Sequence, residues 1–277
     1  MKVREYYYLI SSLYDPELDS QKKLYSMEEF ISFCEEELHP VDYEDLKKVF
    51  IFNDIMNIIN VKNEDSFYRT PSFYDKETFF GNLSDYSQFF PFIEIFLENK
   101  KNDKKINSHL IAVDELITLF YENIDSLTKN KFLKKYFEFE LDLKNISNSI
   151  SLKKLGISTE NAFIPSGEAY ERLVKSIPLD HGLVPMLEKL TESLNSDDLT
   201  ASEILIENIK WLWLDEEIAQ DYFSFKYVIG YAIKLTAVER WSKLTEETGK
   251  MVLDGLINKI KSGIKFSDEF LKTGGKK

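Results

Sequence analysis

Apolar residues recur at three- and four-residue intervals along most of this chain, the period of one face of a helix. The first apolar block, 6–13, ends at Asp15-Pro16 and alternates too poorly to separate a buried strand from the first turns of a helix. Ser26 with Glu29 three residues on forms a capping-box pattern, and Phe30, Ile31, Phe33, Cys34 and Leu38 supply the apolar face behind it. That helix should stop near His39-Pro40. Asp42 or Tyr43 should open the next one, through Leu46, Val49, Phe50, Ile55 and Ile58 to about Val61. From 62 to 88 polarity rises into a long connection, with a short helix expected near 75–80. Helical spacing returns over 89–97 and a polar linker covers 98–107. Further helices are predicted over 109–123 and from about 129 to 155, with Gly156 as a C-cap glycine. A second long connection, 158–185, holds three prolines and a short helix expected over 166–176. An amphipathic pair, 183–194 and 201–214, is broken by the turn Asn195-Ser196-Asp197-Asp198.

The segment 222–250 is unlike the rest. Val228, Tyr231, Leu235 and Val238 form one apolar row, and Ile229, Ile233, Ala237 and Trp241 form a second beside it. Only a narrow strip through Lys226, Gly230 and Lys234 is polar at first. A helix that is apolar around most of its girth is buried between other helices, so this segment is expected to be the central one. Trp241→Ala should then cost about 3–5 kcal/mol if the ring is fully buried. Apolar spacing resumes at Met251, Leu256, Ile257, Ile260 and Ile264, and 272–277 is expected to be a disordered tail.

Composition agrees with helices throughout. Seven prolines and ten glycines are few for a β-rich protein of 277 residues, and no proline follows Pro185. With 21 Phe and 15 Tyr, the core should be rich in aromatic rings. The fold class expected is all-α.

A net charge of −13 argues against nucleic-acid binding, which needs a basic face. The local basic pairs, such as Lys100-Lys101 and Lys134-Lys135, read as solvated helix ends. Cys34, the single cysteine, permits neither an internal disulfide nor a cysteine-based zinc site. The first residues lack the apolar core of a secretory signal, and no apolar run approaches the roughly 20 residues that span a bilayer. A cytoplasmic protein that reaches a membrane only through a partner is expected.

Two stretches echo each other. Phe50-Ile-Phe52 precedes Asp54-Ile-Met-Asn57-Ile58, and Phe137-Glu-Phe139 precedes Asp142-Leu-Lys-Asn145-Ile146. Asp and Asn three apart share a helix face, so each pair is suited to clamp a neighbouring backbone. Phe223-Ser-Phe225 is a third, degenerate version. The spacing of the echoes suggests three homologous helical modules, approximately 1–63, 64–157 and 158–277, within one domain spanning 1–277.

Catalytic patterns are poor. Glu36-x-x-His39 has the spacing of half a di-metal carboxylate site, but no second Glu-x-x-His exists and Pro40 follows at once. Asp197-Asp198 sits in a turn, and no phosphate-binding glycine loop or nucleophile elbow is present. No catalytic, metal or cofactor site is therefore expected. Glu239-Arg240 is the most distinctive charged pair: Glu239 can meet Lys243 one turn on, and Arg240 an acidic partner elsewhere. With Trp241 it also has the residue types of an interface anchor.

The Asp-x-x-Asn-Ile echoes, the basic Lys153-Lys154-Leu-Gly156 stretch, and the last helix with Tyr231, Lys234, Glu239 and Arg240 resemble the C subunit of V/A-type rotary ATPases, called d in eukaryotes. Tyr6-Tyr7-Tyr8-Leu9-Ile10 and Lys234-Leu-Thr-Ala-Val-Glu239-Arg240-Trp241 are closer still to a divergent bacterial branch of that family, encoded alongside V-type ATPase subunits. The first echo lacks the basic pair that follows the second, and the chain is shorter than typical members. The resemblance implies a funnel of helices in three pseudo-symmetric modules, a non-enzymatic central-stalk part without cofactors. Its partners would be the central-shaft subunits and the membrane rotor ring, and it would lie on the inner face of the cell membrane through that complex. A helical enzyme with scattered carboxylates, predicting a deep pocket where they converge, and a helical scaffold unrelated to ATPases are the competing expectations.

Overall fold

The computed structural model describes residues 4–14, 16, 25–61, 68–102, 111–157, 163–179, 186–196 and 198–248, with side chains to 242. The protein is all-α. In chain order the helices are α1 (Tyr7–Ser12), α2 (Met27–Glu37), α3 (Pro40–Lys47), α4 (Ile51–Asn60), α5 (Lys76–Asn82), α6 (Pro91–Lys101) and α7 (Ala112–Glu122). They continue as α8 (Ile124–Leu127), α9 (Lys131–Lys154), α10 (Glu168–Val174), α11 (Leu187–Asn195), α12 (Leu199–Ile218) and α13 (Phe225–Thr248).

Local chemistry sets several helix ends. The Ser26–Glu29 capping box forms in both directions at the start of α2. His39 does not simply end that helix. Its Nδ1 accepts from the Val41 amide at 3.2 Å, and Pro40 takes the first position of α3. The second helix thus opens at Pro40, earlier than Asp42 or Tyr43, and a 3-10 turn over Lys48–Phe50 separates it from α4. Asp75 and Asp198 cap α5 and α12 through their carboxylates. Helix α9 closes in a Schellman motif: the Ile157 amide donates to Leu152 O at 3.0 Å across Gly156, whose φ is 66°. The expected linker at 98–107 starts later, because α6 continues to Lys101. The 251–264 spacing and the 272–277 tail lie outside the described residues.

Packing divides into two apolar cores. The larger gathers α1 to α7, the first half of α9 and the buried part of α13 around Phe30, Phe79, Phe92, Phe120 and Phe137. The smaller holds Phe139, Leu143 and Ile146 of α9 against Ala169, Leu187, Leu190 and Ile209. Helix α9 therefore runs through both. Trp213 of α12 packs at each core and lies flat on Phe139, with ring centres 4.6 Å apart.

Every residue from 227 to 235 of α13 is buried, the all-round burial that its two apolar rows predict. The narrow polar strip, however, turns away from water after its first residue, Lys226. Gly230 lies against Ile218 at the end of α12, where an added Cβ would come within 3.1 Å of the Ile218 side chain. Lys234 is 8% exposed. The amino-terminal block 6–13 resolves into a helix, α1, and just before it Glu5 pairs with Ser224 in an isolated antiparallel bridge. The Tyr6 amide donates to Phe223 O at 2.8 Å, so the first residues are joined to the start of α13. Among the described residues no helix is long and apolar enough to cross a membrane.

Candidate functional site

The Asp-x-x-Asn echoes grip backbone in matching ways. On α4, Asn57 Oδ1 accepts from the Arg69 amide at 2.7 Å, and its Nδ2 donates to Arg69 O at 3.1 Å. On α9, Asn145 does the same to Ile164, at 3.1 Å in both directions. Four and five residues further on, the Phe73 and Tyr74 amides donate to Asp54 at 2.8 and 3.2 Å. Five residues beyond Ile164, the Ala169 amide donates to Asp142 at 3.0 Å. Each side chain thereby satisfies buried polar backbone that has left regular secondary structure.

Burial opposes both carboxylates. It drives the Asp54 pKa up to about 7, although the Phe73 and Tyr74 amides pull the other way. Burial also raises Asp142, against the bond from Ala169. Gly167 makes the second clamp possible. Its φ is 88°, and an added Cβ would stand 2.6 Å from Asp142 Oδ1. The third echo keeps its aromatic residues without a clamp: Phe223 packs on Tyr7 at 4.4 Å and Phe225 on Tyr6 at 6.4 Å.

The residues of α13 that carry the family resemblance split between two neighbours. Tyr231 and Glu239, two turns apart, face α2: Tyr231 packs on Phe30 with ring centres 5.0 Å apart, and Glu239 accepts from the Met27 amide at 2.7 Å. Glu239 therefore supports the first turn of α2, where a carboxylate suits the positive end of the helix. The expected pairing with Lys243 falls on a side chain outside the described residues. Lys234 and Arg240 face α12. Lys234 pairs with Asp215 and lies 4.9 Å above the Trp211 ring, and Arg240 pairs with Glu207. Trp241 is half-buried under the Arg240 guanidinium, so the condition for a 3–5 kcal/mol loss is not met. Lys153 and Lys154 stand exposed in the last turn of α9, and Lys154 Nζ donates to Ser196 O at 2.5 Å.

Two concavities, of about 360 and 260 Å3, open side by side among α4, α9, α12 and α13. Phe52, Glu140, Glu207, Lys210 and Arg240 line both. Lys210 Nζ lies 2.6 Å from Glu140 Oε1, and Arg240 holds the buried Glu207. Burial works against the Lys210 charge but is outweighed by Glu140 and Glu207, so its pKa lies above the usual value. Tyr136, beneath this wall, is pushed well up by burial and then by Glu140. The four charges of the shared wall are thus spent on one another. Sequence reading missed Glu140, Glu207 and Lys210. The available signal was the two charges at 207 and 210, inside the otherwise apolar run of α12.

These features define an all-α protein whose elements are fastened by buried polar clamps and whose concave face is walled by paired charges. The chain belongs to a family whose model, described as "Protein of unknown function (DUF2764)", matches residues 3–264. No curated protein and no solved structure matches it.

Proposed function

We propose that the protein is a non-catalytic central-stalk component of a bacterial V/A-type ATPase, coupling the central shaft to the membrane rotor ring. The observation that carries this reading is where the clamps fall. With modules at 1–63, 64–157 and 158–277, Asp54 and Asn57 tie the first to the second, and Asp142 and Asn145 tie the second to the third. The Glu239–Met27 and Tyr6–Phe223 bonds tie the third back to the first. Each module is therefore held to the other two by bonds that bury polar groups. A part that transmits torque needs that closure, because a module held at one end only would swing under load.

The resemblance of Lys234, Glu239, Arg240 and the Asp-x-x-Asn helices to the rotary-ATPase stalk family supports the same reading, with the three modules arranged as a funnel. The acidic balance of the chain suits basic shaft or ring loops, and shaft binding should then weaken as salt is added. Affinity-tagged protein expressed at native level and recovered from gently solubilised membranes at low salt should bring shaft and ring subunits with it. Recovery of neither would overturn the proposal.

A further inference from the structure

Exposed aromatic side chains fall together on this molecule. Phe80 apart, every one among the described residues is a tyrosine of α1, of its carboxyl flank or of the turn into α13: Tyr7, Tyr8, Tyr14 and Tyr222. Two rows of rings meet at α1. Tyr25 packs on Phe33 and Phe33 on Tyr8, with ring centres 6.0 Å apart in each pair. Tyr7, beside Tyr8, packs on Phe223 at 4.4 Å, and Phe223 on Tyr222 at 5.0 Å. Single exposed rings are ordinary, but a contiguous group marks an interaction surface, and tyrosine is among the residues that anchor interfaces. Acidic groups border this one. Glu36 and Glu37 follow Phe33 by three and four residues on the same side of α2, and Glu5 lies two residues before Tyr7. All three are exposed and have no ion pair among the described residues. The neighbouring cations are taken: Arg4 by Asp42 at 2.9 Å, and Lys226 by Asp221 at 3.0 Å.

We infer that this tyrosine face docks a basic polypeptide segment of a partner. The negative face of a tyrosine ring attracts a guanidinium or ammonium laid over it. The aliphatic stem of the same side chain covers the apolar part of the ring, while its head reaches a carboxylate at the border. The unpaired acids therefore complement such a segment and repel the other candidates. A second copy of this chain would bring its own Glu5, Glu36 and Glu37 against the first set, and an anionic bilayer would meet the same repulsion. The rings span α1, α2 and the turn into α13, so a chain carrying several cations covers them where one small cation covers a single ring. This goes beyond the coupling reading: it assigns a surface and the chemistry that fits it, and it is tested on the isolated protein, so either can fail alone.

Full-length protein with isotopically labelled tyrosine, titrated with a capped octapeptide that alternates arginine and leucine, tests this by aromatic NMR. The ring signals of Tyr7, Tyr8 and Tyr222 should shift saturably, and added salt should weaken the binding. Tyr8 is 71% exposed, so Tyr8→Leu leaves the core intact and keeps an apolar side chain. It should weaken the peptide about threefold by removing the ring face. Glu36→Gln combined with Glu37→Gln should weaken it by a similar factor and reduce the salt dependence. The inference is overturned if the peptide leaves those rings unmoved, or if an octapeptide alternating glutamate and leucine binds as tightly. Unchanged binding by Tyr8→Leu would overturn it too. So would sedimentation showing a dimer that Tyr8→Asp dissociates, since the face would then join two copies, or Tyr8-dependent capture by phosphatidylglycerol vesicles, since its occupant would then be lipid.

Discussion

The two clamps are built from the same Asp and Asn pair and differ in what surrounds their aspartates. Asp54 is fully buried and answers two amides, whereas Asp142 is 9% exposed and answers one. The first clamp holds a loop that leads into α5 through a separate cap, Asp75. The second acts on α10 itself: Ala169 is in its first turn, and Gly167 at its N-cap position makes no side-chain cap bond. Asp142 thus supplies from another helix the acceptor that a capping residue normally supplies locally. The Asn half, which grips the N–H and C=O of a single residue, is the part common to the two. The Asp half has been adapted, to seal a buried loop in one case and to start a helix in the other.

The largest effect should separate the two aspartates. Asp54→Ala leaves two buried amides unsatisfied and should cost about 4 kcal/mol in urea denaturation, against about 1–2 kcal/mol for Asp142→Ala. Equal losses would show that the difference in burial carries no energy. Next, Gly167→Ala should cost about 3 kcal/mol, from a backbone conformation that only glycine tolerates and from displacing Asp142. Combined with Asp142→Ala, its cost should shrink to the backbone part; a double-mutant cycle that adds without coupling would remove Gly167 from the clamp.

The third difference is in the pH dependence. With a folded pKa of about 7 against 3.8, Asp54 holds a proton in the folded chain that the unfolded chain releases. Its contribution to stability is fully present below about pH 4 and is lost as pH rises towards 7. Asp142 adds a dependence of the same sign. The stability of the parent relative to Asp54→Asn should therefore fall as the pH rises through that window. Parallel curves would show that folding leaves the Asp54 pKa unshifted.

Much of this architecture was legible in the residues. Ser26 with Glu29, Asp75, Gly156 and the apolar rows of α13 act over three or four residues, and that range is what a sequence displays directly. Reading Asp54 with Asn57 and Asp142 with Asn145 as paired clamps worked for the same reason, since each pair shares one helix face. What they grip lies 12 to 27 residues away, across connections whose course no local propensity sets. Glu239 shows the limit plainly. The opposite charges near it in sequence are Arg240 and Lys243, yet the packing of α13 on α2 presents it with the Met27 amide, 212 residues away.

The sequence by itself thus determined an all-helical chain, several of its helix ends and the residues with the reach to clamp. It could do so because capping and amphipathic burial are local. Only the tertiary structure decided that the polar strip of α13 is interior. Gly230 packs there in tight contact with Ile218 of α12, and Lys234 is there because Asp215 and Trp211 receive its charge. It alone also brought Glu140, Glu207, Lys210 and Arg240 onto one wall, from three helices far apart along the chain. Whether a charge is paired depends on which helices become neighbours, and that is settled by the packing of the cores.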